Sequence, residues 1–445
     1  RSATRSGGGG TNTLTGNDTD NTWTLDVASN GSVTNSDGTV AFTGMALVTG
    51  GDQASGGADE DTFNLTAADW GDVAGGGGDD IFDIDANQNG TLSGDGGDDD
   101  FIVADGIAVT GTIDGGASGV AGDELDLSEY TSTVAATLTA EGADGFDGSV
   151  TDIVTAFNDI NVITSGSALD DSLTGADLAS TWSLDGANQG SVATAGASMT
   201  FSGFETVAGG SNIDTFNLTV ANWGDVAGGG NDDIFNVEES QDGTLSGDDG
   251  DDELNFSSFA TTVAVTLTGE GAIDGFDGSV PGVVDDFDNF NSITASSAGD
   301  DSLTGLDNVD ATWQVVGDVG NDYEANGSVL GFGDFEVLNG GNNEDTFLLG
   351  GGSFSGNLTI DGNDGADLVD VEDDLVVNGD LEITDVETVT NSGGGTLSAN
   401  LLRVIGAISG VGEDNAALMT NVDTLEIDGA GNVYVSDATA LDGVT

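Results

Sequence analysis

The chain has no cysteine, no histidine and no lysine, a single proline, and only three arginines, Arg1, Arg5 and Arg403. Without cysteine there are no disulfides, no thiolate metal sites and no thiol nucleophile. Without histidine and lysine, the usual general bases, nucleophile activators and anion clamps are missing as well. No apolar run approaches the length that crosses a bilayer, so membrane insertion is not expected. The near absence of positive charge disfavours binding to nucleic acid or to anionic lipid.

What is present is acid and glycine: 81 Asp plus Glu, a formal net charge of −78, and 75 Gly in 445 residues. The apolar fraction of 37% is too high for a disordered polyanion. The length exceeds what one compact core usually holds, which leaves several domains or a repeat stack. Val, Ile, Leu, Phe and Thr recur in short clusters between Gly-rich stretches, a pattern for many brief strands joined by tight turns, and helix signals are nearly absent. If such strands stack at about 4.8 Å per rung, a few uncompensated carboxylates per rung repel strongly along the stack. High salt, bound cations or both are therefore expected, and a marine or halophilic habitat fits.

Self-similarity operates at two scales. Phe63 through Trp70 to Phe82 returns nearly unchanged as Phe216 through Trp223 to Phe235; Asp171–Gly175 returns as Asp301–Gly305, and Gly145–Val150 as Gly275–Val280. The reading is a flexible Gly-rich lead-in over residues 1–10, then units at 11–165, 166–296 and 297–445, the last diverging after about residue 350. Within a unit a period of 19 residues aligns Asp214, Asp233 and Asp252, and Phe216, Phe235 and Leu254. Alternating apolar positions such as Phe216 and Leu218 point every second side chain inward, and stacking puts like residues in columns. The fold class expected is all-β: an elongated parallel β-solenoid with coils of about 19 residues.

The turns carry the distinctive residues. Gly75–Asp83 fits the nonapeptide Gly-Gly-x-Gly-x-Asp-x-U-x, with U a large apolar residue, and related stretches start at Gly94, Gly228 and Gly247, with weaker ones ending at Asp61, Asp214, Asp345 and Asp367. In these turns the chain resembles the repeats-in-toxin (RTX) family and the repetitive regions of giant bacterial surface adhesins. That resemblance implies Ca²⁺ ions between successive turns, held by glycine carbonyls and the sixth-position aspartate, because calcium takes six to eight oxygens that one side chain cannot supply. The metal-ligating candidates are Asp61, Asp79, Asp80, Asp98, Asp99, Asp214, Asp232, Asp233, Asp251, Asp252, Asp345, Asp364 and Asp367. Asp80 with Asp99 and Asp233 with Asp252 are the expected ion-sharing pairs. Only one turn per coil keeps the motif, so one ladder of ions is expected; the opposite turns read Asp85–Gly90 and Glu238–Gly243. The loop Glu141–Asp147 and its copy Glu270–Asp277 are either a further ion site or a solvated turn.

Two other features have two readings each. The five tryptophans, spaced systematically, either form a platform for surface glycans or cover the apolar columns. The Asn-x-Thr sequons at Asn64, Asn217 and Asn357 are glycosylation acceptors or, in strands, parts of the fold. A catalytic β-helix with a carboxylate pair is conceivable, but every acidic pair recurs from unit to unit, whereas catalysis needs one asymmetric site. The sequence therefore points away from an enzyme and toward an extracellular structural or adhesive repeat protein at the cell surface or in a secreted matrix, ordered by calcium after export into a stiff rod or filament. Self-association or continuation in a longer chain is expected; a surface-layer subunit and a spacer within a larger secreted protein are the alternatives.

Overall fold

A computed structural model of the chain describes residues 3–6, 13–15, 19–27, 30–43, 47–49, 60–406, 409–413, 416–428, 431–438 and 443–444. The described residues contain strands and turns and no helix. Residues 7–10 of the lead-in lie outside the described residues, while Ala3–Ser6 forms a strand paired in parallel with Gly38–Thr43.

The strands belong to a parallel β-solenoid, and the alternation of side chains explains why. In Thr62–Leu65, Phe63 and Leu65 are buried and Thr62 and Asn64 are half-buried on the outer face; Ile81–Ile84 and Asp100–Val103 repeat the pattern. Thr62 lies opposite Ile81 and Ile81 opposite Asp100, the step of 19 residues read from the sequence. The register stacks Phe63, Phe82 and Phe101 into one column, with ring centroids 4.9 and 4.7 Å apart. The facing sheet is built from Asp72–Gly77, Thr91–Gly97 and Val109–Ser118, whose Val73, Leu92 and Ile113 form the opposing apolar column. Elsewhere the coils lengthen: Asp100 pairs with Glu124 and Thr346 with Leu368.

Contacts divide the chain into two compact units, Arg1–Asp214 with Trp223–Asp225, and Thr215–Asn222 with Val226–Thr445, a division that falls inside the second sequence repeat. Each unit has the two-sheet coil. The second unit stacks Phe216 on Phe235 at 4.9 Å and pairs Ile234–Val237 with Glu253–Asn255.

One feature departs from a simple coil. Both units contain switchbacks, in which the chain crosses one sheet three times before moving on. In the first unit these are Thr22–Val27 with Asn30–Asn35 and Gly38–Thr43, Ala135–Glu141 with Phe146–Val150 and Val154–Ile160, and Ser180–Gly186 with Gln189–Ala193 and Ser198–Ser202. In the second they are Ala264–Glu270 with Phe276–Val280 and Val284–Phe290, and Ala311–Val315 with Asn321–Ala325 and Ser328–Gly333. The middle strand runs antiparallel; the outer two keep the coil direction and pair in parallel with coils on either side, as Val154–Ile160 does with Val109–Ser118 and Ala135–Glu141 with Ser172–Thr174. Asn326 and Gly327, at φ 52° and 98°, close one of these hairpins with the left-handed pair that a two-residue turn between twisted strands requires.

Candidate functional site

At the corner where a coil enters the first sheet, an acidic or amide residue sits two positions ahead of the first inward apolar side chain: Asp61 before Phe63, Asp80 before Phe82, Asp99 before Phe101, Asp123 before Leu125. These carboxyls turn inward and are 0–1% exposed. Each accepts a hydrogen bond from the backbone of the preceding coil. Asp61 N donates to Asp80 Oδ1 at 2.8 Å, Asp80 N to Asp99 Oδ1 at 2.8 Å, Asp99 N to Asp123 Oδ1 at 2.9 Å, and Asp123 N to Asn161 Oδ1 at 3.0 Å. Asn21 starts the series, donating its backbone N and Nδ2 to Asp61 Oδ1. In the second unit Asp233 N donates to Asp252 Oδ1 at 2.7 Å, Asp252 N to Asn291 Oδ1 at 3.2 Å, Asp345 N to Asp367 Oδ1 at 2.8 Å, and Asp367 N to Glu387 Oε2 at 2.6 Å. Asp214 accepts from Ser180 N and Gly210 N, both at 2.9 Å.

The arrangement is a ladder: each side chain satisfies a corner N–H that the strand pairing leaves over, and does so for the neighbouring coil. The ladder also explains the glycine five residues ahead. A Cβ on Gly94 would lie 2.0 Å from Asp99 Oδ2 and 2.7 Å from the Gly115 carbonyl oxygen, so only glycine admits the carboxyl. Gly75 and Asp80, Gly228 and Asp233, and Gly247 and Asp252 repeat the contact. The Oδ2 atoms of Asp99, Asp123, Asp252 and Asp367 are buried there with no hydrogen-bond partner.

Burial in this setting, with acidic neighbours adding to it, pushes Asp99 up to about 8. Asp123 and Asp252 rise to about 7, and Asp345 and Asp367 to about 6, again chiefly through burial. Asp214 is raised in the same direction and for the same first reason.

The remaining candidates lie outside this ladder. Asp79, Asp232, Asp251 and Asp364 are exposed. Asp79 Oδ1 accepts from Asp98 N at 2.9 Å and Asp232 Oδ1 from Asp251 N at 3.1 Å, an outer rank running beside the inner one. Asp98 Oδ2 accepts from Val120 N and Ala121 N, and its Oδ1 from Gly122 N. Burial alone would raise Asp98, but these N–H groups hold it below its ordinary value.

The fit to calcium can be tested on these contacts. Each expected pair, Asp80 with Asp99 and Asp233 with Asp252, is brought together, but through a backbone N–H on a carboxylate oxygen that an ion would need. Among the described residues no three acidic side chains gather closely enough to hold a metal ion. In the loop Glu141–Asp147, Asp144 Oδ2 accepts from Ser118 N at 2.9 Å and Asp147 Oδ1 from Asp159 N at 3.2 Å, which makes it a hydrogen-bonded turn of a switchback.

The tryptophans are interior. All five are 0–1% exposed, and Trp313 stacks on Phe347 at 5.3 Å with Tyr323 edge-on at 4.6 Å, so none offers a ring to a sugar.

Sequence reasoning missed the ladder members Asp123, Asn161, Asn291 and Glu387, the acceptors Glu205 and Glu336, and the role of Asp171 and Asp301. The last two head a second, shorter series: Val134 N donates to Asp171 Oδ1 at 2.7 Å and Asp171 N to Glu205 Oε2 at 3.0 Å, while Val263 N donates to Asp301 Oδ1 at 2.6 Å and Asp301 N to Glu336 Oε2 at 2.9 Å. At the corner of the turn Asp85–Gly90, Gln88 is 0% exposed, accepts from Trp70 N and donates to the carbonyls of Ala67 and Ala86. The signal that would have found the ladder is the three-residue pattern of acid or amide, any residue, then an inward apolar residue, which outlasts the nonapeptide.

No protein-family model, curated protein or solved structure matches this chain.

Proposed function

We propose that the chain is a structural repeat module of an extracellular surface or matrix, a stack of coils that spaces or supports other parts and carries no chemistry of its own. One observation carries this reading: among the described residues, the buried aspartates join one coil to the next, in the same way in both units, and such repetition suits a scaffold. A solenoid gains length by adding coils, each stabilised by its neighbours. The likeness of the turns to RTX nonapeptides supports an origin outside the cell, where calcium is plentiful. Calcium enters this reading as a counterion to the exposed carboxylates, alongside other cations.

Single-molecule pulling on the chain tethered at its two ends tests the proposal. A supporting stack resists and then gives way in discrete events as coils are stripped. Smooth extension along the curve of an unstructured polyanion, in high salt as well as in calcium, would sink it.

A further inference from the structure

We infer that Asn326 is a site of spontaneous main-chain modification: its side-chain amide is lost to attack by the Gly327 nitrogen, and the isoaspartate that results loosens a switchback of the second unit. The sequence has five Asn-Gly pairs, at Asn30, Asn89, Asn326, Asn339 and Asn378. Glycine favours this reaction because it puts no side chain beside the attacking nitrogen. The fold decides which pair can undergo it.

Ring closure needs an N–H without another partner, an amide able to turn onto it, and room for the peptide between them to rotate. Four pairs lack at least one of these. Gly31 lies inside a strand, opposite Phe42, and a Cβ there would sit 2.3 Å from Thr24 O. Gly90 is buried between coils: its Cβ position is 2.1 Å from Gly71 O, and that of Gly111 is 1.9 Å from Gly90 O. Gly340 N donates to Asp361 O at 2.8 Å, and Asn339 Nδ2 donates to Thr304 Oγ1 at 3.2 Å. Asn378 Nδ2 donates to Phe354 O at 2.9 Å, and the Gly379 Cβ position is 2.2 Å from Asn357 Oδ1.

Asn326 and Gly327 meet all three conditions. Both are exposed, and no hydrogen bond among the described residues engages the Asn326 side chain or the Gly327 N–H. A Cβ on Gly327 would meet nothing within 4 Å. The pair forms the tip between Ala325 and Ser328, which lie opposite each other, so the ladder ends before it and leaves the Gly327 N–H over.

The Gly327 nitrogen gives up its proton to water and bonds to Asn326 Cγ; the Cγ–Nδ2 bond breaks, ammonia leaves, and a succinimide ring remains. Water then opens the ring at either carbonyl, giving aspartate or isoaspartate. Water is the only co-reactant. Isoaspartate routes the main chain through its side-chain carbon, which adds an atom to the tip. A two-residue turn at φ 52° and 98° has no place for that atom. The hairpin it closes carries core: Tyr323 and Leu330, both 0% exposed, lie opposite each other. Tyr323 meets Trp313 edge-on at 4.6 Å, and its hydroxyl accepts from Leu306 N at 2.9 Å.

Cleavage after glutamate puts each of the five pairs on its own peptide, Asn326 between Glu324 and Glu336, so mass spectrometry of the full chain aged at mildly alkaline pH reads them separately. In the folded chain Asn326 should convert about tenfold or more faster than any of the other four, which must first open locally. In urea the five rates should converge. Hydrogen exchange on the aged chain should show protection lost over Asn321–Ala325 and Ser328–Gly333. Asn326→Gly, which suits the same turn and has no amide to lose, should keep that protection on ageing. Should this variant fail to fold, the wild-type peptide map still decides. Asn326 converting no faster than the other four in the folded chain would overturn the proposal. So would isoaspartate at position 326 with hydrogen exchange unchanged.

Discussion

Gly94→Ala, compared with Gly96→Ala two residues along the same strand, tests the ladder directly. At Gly94 the added methyl would sit 2.0 Å from Asp99 Oδ2 and 2.7 Å from the Gly115 carbonyl, so the carboxyl must swing away and the neighbouring backbone must shift. Displacing the carboxyl strands Asp80 N, whose 2.8 Å bond goes to Asp99 Oδ1, in a buried corner. A buried donor left unmade costs about 1–3 kcal/mol, and overpacking a tight site costs about as much again. We therefore expect Gly94→Ala to lose about 2–6 kcal/mol, the simple sum of the two costs. At Gly96 the nearest atoms to a Cβ are the carbonyl oxygens of Ala117 and Gly76 at 3.9 Å, ordinary contact distance, so the same substitution should change stability by less than about 1 kcal/mol. Urea unfolding followed by far-ultraviolet circular dichroism reads both variants. Equal effects at the two positions would refute the inward carboxyl and the packing argument built on it.

Other expectations follow from the columns and the charges. Phe82→Ala removes the middle ring of the Phe63–Phe82–Phe101 stack and should cost about 3–5 kcal/mol in urea unfolding, well above outward-facing Ile81→Ala. With every tryptophan buried, intrinsic fluorescence should be blue-shifted and resist acrylamide until the chain unfolds, and sugars should not alter it. Arg403 lies between Glu382 and Glu426 on adjacent strands, with its Nε 2.8 Å from Glu426 Oε2; Arg403→Met should lower the melting temperature in dilute buffer, with the difference shrinking as salt is added.

The sequence revealed the coil more readily than its exceptions. Phe63, Phe82 and Phe101 recur at the coil period with an alternating partner, and that pattern is what a stacked parallel strand with one buried face produces. The switchbacks escaped because Trp182 and Leu184, or Met199 and Phe201, alternate in the same way: a period of two reports which face is buried and is blind to the direction of the neighbouring strand. The Asn326–Gly327 pair was the available hairpin signal.

The aspartates were legible as positions and ambiguous as chemistry. A Gly-rich turn with an aspartate in sixth place satisfies an ion-binding turn and an inward ladder equally well at the level of residue types. The structure adds the destination of each oxygen: Asp99 Oδ1 meets Asp80 N, and Asp99 Oδ2 packs against Gly94. The substitutes at the same place, Asn161, Asn291 and Glu387, point the same way, because amide and carboxyl oxygens serve equally as acceptors of a backbone N–H.

The most direct measurement of whether coil-to-coil packing, with its inward ladder, holds this chain together is the urea unfolding midpoint in high salt with calcium and then with a chelator. Packing and ladder alone predict the same midpoint in both. A midpoint that collapses on chelation and returns with calcium would contradict the account and put divalent ions at the centre of the fold.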